Sequence, residues 1–161
     1  MVRHRLLTAC LVAAVAVAIA PSMPALGASD VSVVGSWFGT ITATNPPLGQ
    51  FNDLISIHTG GIVIESRRYS VPGTPLGNLL ETTGHGAWKR TGANTFVVFF
   101  RFLLQDANTG AALGTDNVAL SLSLDQATGA LTGTFESQIK DTAGNVLLIV
   151  TGDYSATPIL V

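Results

Sequence analysis

Beyond position 10 the sequence contains no cysteine, and that one residue sits in a segment that reads as a removable leader. A mature chain without thiols has neither a disulfide framework nor a cysteine nucleophile. Charge is scarce as well: Asp, Glu, Lys and Arg make up 11% of the chain, against about 25% in ordinary soluble domains. No basic run occurs, and the balance is mildly acidic, which argues against nucleic acid and anionic membrane as partners. There is no G-x-S-x-G elbow. After the leader the only histidines are His58 and His85, without the H-x-H or H-E-x-x-H spacing of a zinc site. No stretch after residue 27 keeps a 3.6-residue apolar period, so no phosphate-cradling loop can open a helix. Nothing in the sequence implies a metal or a cofactor.

The first 30 residues read MVRHRLLTACLVAAVAVAIAPSMPALGASD. Arg3, His4 and Arg5 form a positive start, Leu6 to Ala20 is an uncharged apolar run, and Pro21 and Pro24 close it. This is the pattern of a secretory signal peptide, too short for a comfortable membrane span. Ala25-Leu26-Gly27 supplies small residues at a cleavage site, so the expected leader is 1–27 and the mature single domain is 28–161; a cut after Ala28 is the neighbouring option. The tetrapeptide ending in Cys10 matches a bacterial lipoprotein cut site. However, only Leu6 and Leu7 precede it as apolar run, where a signal needs roughly 7 to 15 such residues. The expected location is secreted or periplasmic, with no transmembrane segment in the mature chain.

What the mature chain does contain is strand. Eight β-branched and aromatic runs, at 33–44, 51–59, 62–70, 80–90, 94–106, 114–125, 130–141 and 145–157, are separated by Gly, Pro, Asn and Asp. HTGG (58–61) and RTGAN (90–94) are hairpin turns. DANTG (106–110), DQATG (125–129) and DTAGN (141–145) each open on an Asp that can accept backbone N–H bonds and carry a Gly suited to positive φ. They lack the further acidic ligands of a calcium loop. The Pro-rich stretch 69–78 is expected to be a loop over one mouth of the structure.

Alternation then decides the architecture. Phe96, Val98, Phe100, Phe102 and Leu104 share one face of the fifth run; Val118, Leu120, Leu122 and Leu124 share one of the sixth; Leu131, Phe135 and Ile139 share one of the seventh. With one apolar face and no helix to cover it, the sheet must close or double over. Short consecutive hairpins favour an all-β, eight-stranded antiparallel up-and-down barrel over a Greek-key sandwich.

Gly35-Ser36-Trp37, at the start of the first strand of a secreted eight-stranded protein, resembles the G-x-W signature of lipocalins and the wider calycin group. The resemblance spans nearly the whole mature chain in strand count and rests on this one tripeptide. It implies a barrel whose closed end is plugged by Trp37 and whose open end admits an apolar molecule. Two departures stand beside it: the last strand has no arginine to stack on the tryptophan, and TGDY (151–154) falls in the eighth strand rather than before the seventh.

The leading functional expectation is a binding protein for a hydrophobic small molecule, lined by Phe96, Phe100, Phe102, Leu120, Leu122, Phe135 and Tyr154. The alternative is a barrel enzyme, since the layout is also similar to that of the allene oxide cyclase and dirigent group; its candidates are Asp53, Glu65, Arg67, Arg68, Arg101 and Tyr154. Asp53 shares a face with Phe51, Ile55 and Ile57 and is the best single candidate for an inward carboxylate. Because Asp is usually exposed, an aspartate at the strand edge beside the NPPLGQ loop is the reading preferred for it. A third class is an interaction module with a packed core, or a homo-oligomer, docking through outward Val97, Phe99 and Leu103. In the stretch GHGAW, Gly84, Gly86 and Trp88 are expected inward, serving closure and packing, while His85 points outward and is a weak catalytic candidate. The first test is of export: the intact mass of the secreted protein should correspond to a chain starting at Ala28 or Ser29. Retention of Met1, or lipid on Cys10, would contradict it.

Overall fold

The computed structural model describes residues 32–67, 70–74 and 77–160. The expected leader at 1–27, which includes Cys10, and Arg68 lie outside the described residues. Ten strands follow one another: β1 (Gly35–Asn45), β2 (Gly49–Ile57), β3 (Ile62–Arg67), β4 (Ser70–Thr74), β5 (Gly77–Glu81), β6 (Gly84–Arg90), β7 (Thr95–Asp106), β8 (Ala112–Leu124), β9 (Leu131–Lys140) and β10 (Val146–Pro158). Among the described residues there is no helix long and apolar enough to cross a membrane.

Eight of these strands form a closed antiparallel barrel. Going round the wall, the order is β1, β2, β3, β6, β7, β8, β9 and β10, and β10 returns to β1 with Ile41 opposite Tyr154. Six of the other seven junctions are local hairpins, and β3 meets β6 across the inserted β4–β5 segment. The three Asp-led turns work as their sequence suggests. Asp106 Oδ1 accepts the N–H of Asn108 at 2.9 Å and of Thr109 at 2.8 Å, and Gly110 closes the turn at φ 70°. Asp125 and Asp141 accept the N–H groups of Ala127 and Ala143 in the same way.

The loop expected over 69–78 is instead a hairpin. β4 pairs with β5, and β5 pairs with the far half of β7, Leu79 opposite Asp106. Backbone pairing overrides the proline because β4 is an edge strand, where a missing N–H costs no ladder bond. The run expected as one strand over 80–90 is accordingly split at Thr82 and Thr83. Among the described residues β4 has no partner but β5, and Gly49–Asn52 of β2 pair only with β1. The wall therefore has a seam at this end.

Alternation along each strand fills the interior. Trp37 is buried at the end that carries the β2–β3, β6–β7 and β8–β9 turns, where its indole N–H donates to Val33 O at 3.0 Å. Gly35 opens β1 at an exposed position. Trp88 packs edge-on to Phe96 at 5.9 Å and donates to His58 O. Phe96, Phe100, Phe102, Leu120, Leu122, Phe135 and Tyr154 are all buried. Outside, Phe99 and Leu103 are exposed and Val97 is half-buried.

Gly84 is buried, with the Phe100 and Phe102 rings against it. At Gly86, opposite Phe100, a Cβ would fall on the backbone carbonyl of Phe99, which cannot step aside without breaking the β6–β7 ladder. Gly86→Val should lower Tm by about 5 °C or more, or prevent folding. His85→Ala, at an exposed position, should leave Tm within about 2 °C of the parent. Thermal melts of the two variants check both.

Candidate functional site: a carboxyl cluster inside the barrel

The apolar lining is interrupted at the end opposite Trp37. Asp53 follows the inward parity of Ile55 and Ile57 on β2, and Glu65 and Arg67 follow that of Val63 on β3. From further round the wall come Glu81 of β5, Asp116 of β8, Ser137 of β9 and Tyr154 of β10, all buried. The preferred sequence reading of Asp53, an exposed strand-edge residue, is thereby corrected: its side chain lies inside, 2% exposed, and Glu65 is 0% exposed. Pairing with both β1 and β3 puts Asp53 in the middle of the sheet rather than at an edge.

Two subsites divide the cluster. In the first, Arg67 forms a two-pronged ion pair with Glu81, Nε to Oε2 at 2.7 Å and Nη2 to Oε1 at 2.9 Å, and Nη2 also reaches Asp116 Oδ2 at 2.5 Å. Ser137 Oγ donates to the other Asp116 oxygen at 2.6 Å. The guanidinium lies over the Phe102 ring at 4.2 Å, with Phe51 at 5.8 Å. Burial works against the Arg67 charge, but Glu81 and Asp116 more than offset it and raise its pKa.

The second subsite is the Asp53–Glu65 pair. Tyr154 donates to Asp53 Oδ1 at 3.4 Å. Asp53 Oδ2 and both Glu65 oxygens have no donor. Gly39 makes room for this contact: a Cβ there would fall on Asp53 Oδ1 and the Tyr154 hydroxyl. The two carboxyls lie within hydrogen-bonding reach of each other. Two ionised carboxylates cannot bond, so that contact forms only when one of them holds a proton. Burial pushes Glu65 up to about 9; Arg67 pulls it back, while the charges of Asp53 and Glu81 push it further. Burial pushes Asp53 up to about 6 against the pull of Arg67. Burial, then the Asp53 charge, also raises Tyr154. At neutral pH the pair therefore carries one proton, held mainly by Glu65.

Of the residues singled out from the sequence, Asp53, Glu65, Arg67 and Tyr154 come together. Arg101 does not: it points outward from β7, and its Nε donates to Asn117. His85 lies on the outer face opposite Arg101. Glu81, Asp116 and Ser137 were missed. The signal for Asp116 and Ser137 was present, because extending the alternation Val118–Leu124 back one step, or Leu131–Phe135 forward one, lands on them. An open hollow of about 590 Å³ on the outer wall, bordered by Ser121, Thr134, Glu136 and Asp153, is separate from the cluster.

No family model, curated protein or solved structure matches the chain. The fold itself is a closed eight-stranded antiparallel barrel with a carboxyl cluster inside it, consistent with a lipocalin-like layout.

The two raised carboxyls set the pH response. Each binds its proton more tightly in the folded chain than in the unfolded one, so folding takes up protons between the ordinary carboxylate range and the folded value. Their contribution to stability is complete in mild acid. It is lost as pH rises, from 3.8 to about 6 for Asp53 and from 4.5 to about 9 for Glu65. Wild-type Tm should thus fall between about pH 5 and about pH 9, and Glu65→Gln should flatten the upper part of that fall. A wild-type Tm that is level over this range would contradict the assignment.

Proposed function

We propose that the chain is an exported small-molecule-binding barrel, with a largely apolar ligand in its interior and the ligand's polar end at Asp53, Glu65 and Tyr154. One observation carries this reading: three buried carboxyl oxygens, Asp53 Oδ2 and both of Glu65, receive no hydrogen bond from any other described residue, and one proton shared within the pair is all that satisfies them. Buried polar atoms are nearly always partnered, and an unpartnered one costs about 1–3 kcal/mol or more. A few convergent polar groups in an aromatic and aliphatic surrounding are what a binding site for a small organic molecule uses. Phe100 and Phe102, crossing edge-to-face at 5.5 Å, supply that surrounding beside the cluster.

A second reading, acid–base catalysis on the bound molecule, draws on a different observation. Glu65 lies buried beside Asp53, and burial pushes its pKa up further than that of Asp53. Two neighbouring carboxyls pushed apart in pKa divide naturally into a proton donor and a proton acceptor.

Binding is tested with the neutral dye Nile red and by mass spectrometry of an organic extract of the purified protein. Saturable dye binding, lost in Phe100→Asp, supports the reading when near-ultraviolet circular dichroism shows the variant folded. A burial-driven loss of fold is the competing outcome for that substitution, so Phe100→Ala serves as the milder variant and should weaken binding about tenfold. No dye binding and no co-extracted molecule would refute the proposal.

A further inference from the structure

We propose that the interior site selects a ligand with a protonated primary amine as its polar end, the ammonium seated between Asp53 and Glu65. This rests on the ligand-binding reading and specifies its chemistry.

The inventory of donors and acceptors argues for a cation. The free atoms are three acceptors: Asp53 Oδ2, Glu65 Oε1 and Glu65 Oε2. Three of the donors around them are engaged. The Tyr154 hydroxyl is given to Asp53 Oδ1, and Arg67 Nε and Nη2 are given to Glu81 and Asp116. A ligand carbonyl brings no hydrogen of its own to the three acceptors. A ligand carboxylate would in addition face Asp53, Glu65, Glu81 and Asp116 across a single guanidinium. A hydroxyl has one hydrogen to offer, whereas an ammonium has three, matching the three acceptors. The aromatic rings at this end already lie against a cation, with Arg67 over Phe102 and Phe51.

Charge balance permits the exchange. The groups facing the pair are Arg67 on β3, Glu81 on β5 and Tyr154 on β10, with Asp116 of β8 bound to the far side of Arg67; β1 presents Gly39 to Asp53, and Gly84 of β6 is paired with Glu65. The empty pair holds one proton and one negative charge. When R–NH3+ enters, it takes over the hydrogen bonds of that proton, which leaves to solvent. Both carboxyls are then ionised, and the charge inside the barrel is unchanged. Burial of a cation thus replaces burial of a proton and creates no new unpaired charge. Glu65 is 0% exposed, so the wall must open for the ligand to reach it, with the Arg67 network left in place.

The test uses the mature protein with three probes of equal chain length: hexylamine, hexanol and hexanoate. Calorimetry at neutral pH, in two buffers of different ionisation enthalpy, measures affinity and proton exchange together. Hexylamine should bind at least about tenfold more tightly than hexanol, with about one proton released per amine bound, and hexanoate should not bind. Glu65→Gln should still bind hexanol but lose both the amine preference and the proton release. Amine and alcohol binding equally well, or amine binding without proton release, would overturn the inference and leave the ligand-binding reading standing. If no probe binds, and Nile red does not either, the ligand-binding reading itself fails and this inference fails with it.

Discussion

Arg67 is the point through which the polar half of the interior is held together. Its guanidinium joins β3 to Glu81 on β5 and to Asp116 on β8, and Ser137 extends the chain of bonds to β9. Two buried carboxylates would have no counter-charge without it. Removing one partner from such a buried arrangement typically costs about 3–5 kcal/mol, since the remaining charges stay in a low-dielectric interior. Arg67 also pulls against the upward shift of Asp53 and Glu65, so it governs how firmly those two hold their proton. Glu81 reaches this network only because β5 continues the wall beside β7. The hairpin that looks like an appendage is thus tied to the centre.

The interior is polarised along the barrel axis. At one end Trp37, Ile55, Ile57, Leu124 and Leu131 pack with no titratable group among them. At the other, four carboxyls surround one guanidinium. Apolar packing supplies most of the favourable free energy of a domain of this size, and the carboxyl end draws on it. A fold that concentrates unpaired acceptors at one end and plain hydrocarbon at the other separates the part that stabilises from the part that recognises.

Much of this was legible in the sequence because a strand's side chains alternate with period two. The face shared by Phe96, Val98, Phe100, Phe102 and Leu104 needed only that rule, and it returned five buried residues. The same rule applied to Asp53 pointed inward, but the general preference of aspartate for solvent pointed the other way, and Arg67 and Tyr154 reversed it. That reversal depends on residues 14 and 101 positions away, which no local pattern reveals. Glu81 was hidden for another reason. Pro72 and Pro75 argue for a loop, and only the exposed edge of β7 shows that a strand is wanted there. Register between distant strands, rather than local propensity, determines which acids meet.

The closure of the wall by β1 and β10 has a consequence for proton balance. Apart from β3 and β6, which meet across the β4–β5 segment, the other barrel junctions join neighbours in the chain, whereas β1 and β10 are far apart in it. Tyr154 meets Asp53 across that last seam. In the unfolded chain Asp53 and Glu65 stand in water as ordinary carboxylates, and in the closed ring they are buried. Closing the ring thus desolvates two acids at once and takes up a proton with them. The balance between the shut and the unfolded barrel is in this way tied to the acidity around it: protons favour the shut ring, and alkali weighs against it.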